Sequence, residues 1–484
     1  MLFFKNKIRL RFAPSPTGFL HLGGLRSALF GYLLAKSQGG KFILRIEDTD
    51  QKREVEGAVG SLIRTLKWVG IKFDEGPGLG GKYGPYVQTE RLNIYKKYLD
   101  ELMKTGQAYR CFCSAERLAE MRAKQEAAKQ APRYDRRCRD LSPEESDRRA
   151  AAGEPFVIRQ KMPLDGEVIV RDELRGEIKF AAADLDDQVL IKSDGMPTYQ
   201  FANVIDDHLM KISHVTRGDE WLPSYPKNFL LYRAFGWTPP KFIHLPLILN
   251  KEGGGKLSKR KGDVFVEDYR AKGYLPEALI NFCALLGWHP KNDKEIWSLK
   301  ELAKEFSIKG LGASPAVFDL EKLDYYNGYY IRQKSRPELI HLCRPYLEAA
   351  GLKAETPTLE KYLALAQDRM KKLSEAPDLI SFLFILPPYD QELLAWKKLS
   401  VAQAISNLKE LTIELEKIPA EKWTKENLEK NIMTWLKEGA RKNGDYLWPL
   451  RVALTGLKNS PGPFEVADAL GREESLKRIE KTIA

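Results

Sequence analysis

The sequence predicts an α/β protein in which a parallel sheet on the N-terminal side is followed by an all-helical C-terminal part. Three observations predict this: a strand, helix, strand pattern near the start, a change of composition after Tyr109, and purely helical patterns from Leu339 onward. The chain has 484 residues, which is longer than a domain with a single hydrophobic core usually is. About three to five domains are therefore expected.

The first predicted unit is a short strand, a helix and a second strand. The strands are predicted over Ile8–Phe12 and Phe42–Ile46. Between them, apolar residues recur at helical spacing and define one helix face: Leu25, Leu29, Tyr32 and Leu33. This unit is the building block of a parallel sheet of the nucleotide-binding kind.

A mixed insertion is predicted to interrupt the sheet. The stretch from Tyr109 to Leu141 is rich in Lys and Arg with interspersed acids, and alternating patterns around Phe156–Met162 and Val168–Arg171 predict strands. Patterns of the first kind return over Val189–Asn250. The sheet is therefore expected in two halves around an inserted α+β module.

The C-terminal part carries two helical stripes. The first is formed by Leu359, Tyr362, Leu363, Ala366, Met370 and Leu373, and the second by Ile405, Leu408, Leu411, Leu415 and Ile418. Pro387 and Pro388 lie between the stripes, so two helical subdomains are predicted.

The overall charge and apolar content limit the class of protein. The 78 Lys and Arg exceed the 66 Asp and Glu by 12, which favours a polyanionic partner but is also common in proteins without one. No apolar run reaches the length of about 18 residues that a membrane helix needs, and charges interrupt the first dozen residues where a signal peptide is apolar. The expectation is a cytoplasmic protein with no membrane contact.

Two loops carry the residue types that handle phosphate. The first lies between the first strand and the helix and includes Pro14, Ser15, Thr17, Gly18, His21, Gly23 and Gly24. Backbone amides at a helix start attract phosphate, glycines allow close approach, and His21 offers a donor. An ordinary Pro/Gly loop with a helix-capping residue is the alternative.

The second loop is basic and follows Glu252 and three glycines. Its residues are Lys256, Leu257, Ser258, Lys259 and Arg260. Three cations in five residues suit a clamp that neutralises the charge developing on a departing pyrophosphate. A solvated basic loop is the alternative.

Together the two loops resemble the paired motifs of class I aminoacyl-tRNA synthetases. Further segments are similar to those of the bacterial glutamyl-tRNA synthetase family: Arg11–Gly18, Arg45–Asp50, Pro197–His208, Arg217–Trp221 and, near the end, Trp448–Gly456. The similarity runs over nearly the whole chain. It implies a Rossmann-like catalytic sheet with an inserted acceptor-binding module, a stem-contact region and an all-α anticodon-binding region.

The resemblance also implies the site residues. His21, Lys256 and Lys259 would be catalytic, and ATP, with Mg²⁺, would be bound by Pro14, Ser15, Thr17, Gly18, His21, Gly23, Gly24, Lys256, Leu257, Ser258, Lys259 and Arg260. Glutamate would be bound by Arg11, Ala13, Ser15, Glu47, Tyr199, Asn203 and Arg217. The chemistry of glutamate agrees with this set. Its two carboxylates suit the guanidinium groups of Arg11 and Arg217, and its ammonium suits the carboxylate of Glu47.

The implied domains follow the same family pattern. Residues 1–108 and 197–250 would form the two halves of the catalytic domain, around an inserted module at 109–196. Residues 251–335 would form the stem-contact region, and residues 336–388 and 389–484 the two anticodon-binding subdomains. A monomer that binds glutamate tRNA is expected, and additional charging of glutamine tRNA stays open.

Three other classes of protein agree less well with the sequence. A glutaminyl-tRNA synthetase typically ends in β-barrels, against the helical patterns here, and the shortened paralogue that modifies a tRNA base is much shorter than 484 residues. From another class, a catalytically silent RNA-binding scaffold has little reason to keep both phosphate-handling loops.

The cysteines suggest a small metal site. Five cysteines, an odd number, do not make a disulfide framework. Cys111, Cys113, Cys138 and Asp140 resemble the zinc ligands of some family members, with Asp140 where a His is usual, and Tyr134 inside the loop is not expected to replace that His. Bound zinc and three reduced, partly buried cysteines are the two interpretations. Cys283 and Cys343 lie in apolar helical patterns and are predicted to be core residues.

Overall fold

The computed structural model describes residues 7–251, 255 and 265–484. The chain packs as two compact units. The first contains the described residues up to Arg270 together with Pro276–Leu320, and the second contains Ala271–Leu275 and Glu321–Ala484.

The strands of the described part all belong to the first unit. They are β1 (Arg9–Phe12), β2 (Lys41–Leu44), β3 (Ala108–Cys111), β4 (Val157–Gln160), β5 (Glu167–Asp172), β6 (Gly176–Ala181), β7 (Val189–Ile191), β8 (His214–Gly218), β9 (Lys241–Leu245), β10 (Ile248–Asn250) and β11 (Ala316–Phe318).

Helices accompany the strands and make up almost all of the second unit. Those from the start of the chain to the end of the first unit are α1 (Leu22–Ser37), α2 (Ala58–Trp68), α3 (Leu92–Lys104), α4 (Ala115–Ala127), α5 (Pro143–Ala151), α6 (Tyr199–Leu209), α7 (Tyr225–Ala234), α8 (Val266–Ala271), α9 (Pro276–Leu285) and α10 (Leu299–Glu305). The later ones are α11 (Leu320–Arg332), α12 (Arg336–Ala349), α13 (Thr356–Ala366), α14 (Ala376–Phe384), α15 (Val401–Glu416), α16 (Lys425–Glu438), α17 (Asn443–Thr455), α18 (Pro463–Leu470) and α19 (Arg472–Ile483).

The main sheet has six strands in the order β2, β1, β8, β9, β5, β6. The first five run parallel to their neighbours, and β6 pairs antiparallel with β5. The predicted strand, helix, strand unit is present as β1, α1 and β2. Leu10, Phe42 and Val215 are fully buried on these strands, as expected for a parallel sheet covered on both faces.

A separate antiparallel sheet is formed by β3, β4 and β7. It lies within the predicted insertion, which is mixed as expected. The hairpin of β5 and β6 differs from this expectation, because β5 pairs with β9 of the main sheet at Asp172 and Phe242 and brings β6 with it as the edge strand. The alternating apolar residues Val168 and Val170 predicted the strand, and both are buried. Such local alternation does not specify which strand lies next to it.

The second unit buries the two predicted stripes. The second stripe follows α15, where Leu408, Leu411 and Leu415 are buried. The first stripe extends beyond its helix. α13 ends at Ala366, and Met370 and Leu373, which follow it, are also buried. Apolar spacing predicted burial correctly there, and the helix ended earlier.

Within the part of the chain that the structure describes, none of the helices combines the length and the apolar character that crossing a bilayer requires.

Candidate active site

A cavity of about 770 Å³ opens at the carboxyl ends of β1, β8 and β9. In open parallel sheets this edge is where ligands bind. Many of the residues predicted for the two substrates line it: Arg11, Ala13, Pro14, Ser15, Thr17, Gly18, His21, Gly23, Gly24, Tyr199 and Arg217.

His21 caps the helix that begins beside the cavity. Its Nδ1 accepts a hydrogen bond from the Gly24 amide at 3.0 Å. In a neutral ring the proton then sits on Nε2, which is therefore a donor. A Cβ on Gly23 would lie 3.2 Å from Nδ1 of His21, so glycine leaves room for the ring. The arrangement suits a phosphate oxygen at the start of α1.

The basic loop contributes no geometry, because Lys256, Leu257, Ser258, Lys259 and Arg260 lie outside the described residues. The described chain resumes at Phe265, which pairs with His21 as an isolated bridge. Next to it, the Val266 amide donates to the Leu20 carbonyl at 2.9 Å. The first described residue after the basic loop is therefore adjacent to the His21 loop.

A network of buried charges lies close to the cavity. Asp207 accepts from Arg11 Nε at 3.0 Å and from Arg45 Nη1 at 2.7 Å. Arg45 also donates from Nη2 to Glu47 Oε1 at 2.8 Å. Burial raises the pKa of Glu47 to about 7, against the opposing effect of Arg45 and Arg11.

Several buried polar atoms of this region lack a partner among the described residues. They are Oε2 of Glu47, Nδ2 of Asn203, and Nη1 and Nη2 of Arg217. Tyr199 approaches the Arg217 guanidinium without making a full hydrogen bond. Each buried polar group without a partner costs about 1–3 kcal/mol of stability. A set of such groups in one region therefore indicates a site where a ligand binds. Its donors suit a carboxylate and its acidic oxygen suits an ammonium.

Glu47 and Asn203 are placed differently from the other predicted glutamate ligands. They are only 2% and 1% exposed and are not among the residues that line the cavity. The sequence interpretation also missed the role of Arg45 and Asp207, which hold Glu47 and Arg11. Their presence within apolar stretches was the available signal, because charged residues are rarely buried unless they are paired.

The cysteine cluster forms, but without Asp140. One thiol sulfur from each of Cys111, Cys113 and Cys138 lies within 4.8 Å of the others, with 3.6 Å between those of Cys113 and Cys138. Sulfurs bound tetrahedrally to one zinc are about 3.8 Å apart. The hydroxyl of Tyr134 lies beside the cluster, 3.1 Å from the Cys111 sulfur and 3.5 Å from that of Cys113.

The three thiols are compatible with a zinc site, and the oxygen beside them is a phenol instead of the expected carboxylate. The Asp140 prediction followed the spacing of the motif, whereas the fold turns Tyr134 inward: it is 6% exposed, and Asp140 lies at the surface. Cys283 and Cys343 are fully buried, as predicted for core residues.

Comparison with known proteins defines the class. Residues 7–325 match the catalytic domain of the class I tRNA synthetases (E and Q), and residues 338–483 match an anticodon binding domain. The fold is thus that of a class I tRNA synthetase.

Full-length relatives narrow this class. The chain is 49% identical over 477 residues to a glutamate–tRNA ligase of Clostridium botulinum, covering 98% of this chain and 97% of the relative. It is 48% identical over 482 residues to that of Clostridium novyi, with the same coverage. The solved glutamate tRNA ligase of Elizabethkingia meningosepticum, in complex with its amino acid, superposes with a TM-score of 0.91 at 39% identity, covering 99% of both chains. The chain belongs to the glutamate–tRNA ligase family, which confirms the predicted family and ligase class.

Proposed function

We propose that this protein carries out the reaction for which its family is named. It activates glutamate with ATP to glutamyl-adenylate and pyrophosphate, and then transfers glutamate to the terminal adenosine of a glutamate tRNA. The observation that carries the proposal is the set of unpartnered buried atoms on Arg217 and Glu47, because Arg217 lines the same cavity as His21 at the start of α1.

Activation needs positioning and charge stabilisation. The α-carboxylate of glutamate is ionised at neutral pH, so it attacks the α-phosphorus of ATP without a general base. His21 Nε2 and the amides at the start of α1 hold phosphate oxygens, where Mg²⁺ brought with the nucleotide would supply further charge neutralisation. Lys256 and Lys259 take the role of stabilising the leaving pyrophosphate.

Transfer uses the activated anhydride directly. A ribose hydroxyl of the tRNA attacks the carbonyl carbon, a C–O bond to the ribose forms, and the bond to the phosphate of AMP breaks. The inserted module binds the acceptor end, and the helical second unit reads the anticodon. Glutamate tRNA is the proposed partner, glutamine tRNA is a second candidate, and a cytoplasmic monomer is the proposed state.

Charging assays on transcripts of both tRNAs test the activity. We expect labelled glutamate on the glutamate transcript, and the second transcript decides discrimination. Lys259→Ala should lose at least about a hundredfold in rate if it stabilises the leaving group. Lys241→Ala removes an exposed lysine at the other end of the sheet and serves as the control, with no loss expected. A well-folded parent that charges neither transcript contradicts the proposal.

A pair of His21 variants separates phosphate binding from helix capping. His21→Asn keeps a side-chain acceptor for the Gly24 amide but removes the Nε2 donor. We expect kcat/KM for ATP to fall about tenfold or more with unchanged thermal stability, whereas His21→Ala also loses about 1 kcal/mol of stability. Unchanged ATP kinetics in His21→Asn would favour the capping role alone.

We further propose that Cys111, Cys113 and Cys138 bind one zinc ion, with Tyr134 as the fourth ligand. The contacts of the Tyr134 hydroxyl with two of the thiols support this choice. Metal analysis of protein made without a histidine tag should find about one zinc per chain, and less than about 0.2 in Cys138→Ser. Tyr134→Phe should weaken binding while Asp140→Asn does not. The reverse order would restore the assignment of Asp140.

A further inference from the structure

Three buried side chains form a hydrogen-bonded row that ends in the active-site cavity. Asp172 Oδ2 lies 2.8 Å from Nδ1 of His244, and Nε2 of His244 lies 3.0 Å from Nε of Arg217. Asp172 and His244 are at most 1% exposed. Neither residue was singled out by the sequence, and neither lines the cavity.

The two ends of the row fix the tautomer of the ring between them. A guanidinium only donates hydrogen bonds, and an ionised carboxylate only accepts them. His244 must therefore carry its proton on Nδ1, facing Asp172, and present a lone pair on Nε2 to Arg217. A doubly protonated ring would place Nε2–H against the Arg217 donor, so the row requires neutral imidazole. Burial lowers the pKa of His244 in agreement with this.

Asp172 is held in place by the backbone around it. Its Oδ1 accepts from the amides of Leu174 at 2.9 Å and Arg175 at 3.1 Å, and its Oδ2 accepts from the His244 amide at 3.0 Å. Burial alone would raise the pKa of this carboxyl, but hydrogen bonds from His244 and Leu174 keep it below its usual value. The β5–β6 hairpin, which joins the main sheet, thus anchors the row.

The partner of Arg217 determines what its guanidinium can bind. An imidazole nitrogen has one lone pair and occupies one N–H, whereas a carboxylate can take two N–H groups from an arginine at once. Through His244 only Nε is used, and Nη1 and Nη2 have no partner among the described residues. The side chain is fixed while its fork keeps the donors needed for a bidentate carboxylate.

We propose that His244, oriented by Asp172, is a positioning residue that presents the Arg217 fork to a carboxylate of the amino-acid substrate. This inference rests on the proposed function, because it takes the substrate to be an acidic amino acid. His244 acts through Arg217 and does not itself line the cavity, so its loss should weaken glutamate binding selectively.

Two substitutions of His244 test the role. His244→Leu removes both polar contacts of the ring, while the amide of His244→Gln keeps one donor and one acceptor. We expect the KM for glutamate to rise at least about tenfold in His244→Leu with the KM for ATP changed less than about threefold, and His244→Gln to recover most of the loss. His214→Leu is the control, because His214 lies at the opposite end of β8 from Arg217. Its KM values for glutamate and ATP should match those of the parent.

The outcomes separate a positioning role from a structural one. A glutamate KM within about twofold of the parent in His244→Leu overturns the proposal, as does an equal rise in the KM values for glutamate and ATP. Failure of His244→Gln to recover binding also counts against it, provided that circular dichroism shows it folded.

The ring itself gives a readout that does not depend on activity. The chain has six histidines, so a ¹⁵N-histidine spectrum is simple to assign with His244→Gln. We expect the pattern of a neutral ring with Nδ1 protonated, and a proton on Nε2 would overturn the proposal. If the parent charges no tRNA, the proposed function fails, while this spectrum and calorimetric titration with glutamate still test the role of His244.

Discussion

Glu47 illustrates how its surroundings set the chemistry of one side chain. One oxygen accepts from Arg45, and the other has no partner among the described residues. Burial raises its pKa to about 7, so the carboxyl titrates near neutral pH. An ammonium group placed against the second oxygen would favour the ionised form.

Glutamate binding should therefore depend on pH through Glu47. Below a pH of about 7 the carboxyl takes up a proton and loses the charge that attracts the ammonium, whereas the substrate keeps its own charges between pH 6 and 8. We expect the Kd for glutamate, measured by calorimetry without ATP, to rise several-fold from pH 8 to pH 6. In Glu47→Gln binding should be weak and nearly independent of pH. A parent with a flat profile would contradict the assignment of the ammonium to Glu47.

Arg478 shows what a buried residue can do for several helices at once. It lies on α19 and is 3% exposed. Its Nη1 donates to the carbonyls of Phe382 at 2.7 Å and Leu454 at 2.9 Å, and its Nη2 donates to that of Leu383 at 3.1 Å. These carbonyls belong to the last turns of α14 and α17, where helices leave acceptors unpaired. A cation there also suits the negative end of the helix dipole.

Removing this guanidinium should destabilise the second unit. In Arg478→Met, three buried carbonyls lose their donor, and we expect a loss of about 3–5 kcal/mol in the free energy of unfolding, measured with urea. Lys477→Met is the control, because Lys477 is the neighbouring exposed residue of the same helix. It should change the free energy of unfolding by less than about 0.5 kcal/mol. Equal effects would mean that Arg478 acts only as a surface charge.

At the scale of the whole molecule, each unit has a core of its own. The first is built around the main sheet, with buried residues such as Phe201 and Val215. The second buries leucines from its own helices, including Leu408 and Leu450. The proposed glutamate and ATP contacts of the described chain all belong to the first unit.

Substrate binding should therefore stabilise one unit more than the other. We expect two transitions in differential scanning calorimetry, since multidomain chains seldom unfold in a single step. Glutamate with a non-hydrolysable ATP analogue at about 100 times its Kd should raise one transition by about 5 °C and leave the other unchanged. In the His244→Leu variant, the part of this temperature rise that is caused by glutamate binding should be lost. A single transition that shifts as a whole would show that the units unfold together.

Much of the fold and some of the site could be predicted from the chain. The unit of β1, α1 and β2 was visible because local periodicity and Pro/Gly breaks act over a few residues. The family was predicted on short motifs, and the comparisons confirm it. Most predicted contacts of the described residues do line one cavity, and their individual roles stay predictions.

The rest depended on which distant residues meet. Residue types and their spacing by themselves determined the sheet, the helical C-terminal part, the cysteine motif and the family. Only the tertiary structure decided that β5 joins the main sheet, that Tyr134 replaces Asp140 beside the thiols, and that His244 stands between Asp172 and Arg217. Local periodicity records which side of an element is buried, but pairing and side-chain partnership are chosen among all surfaces that compete for the same neighbour.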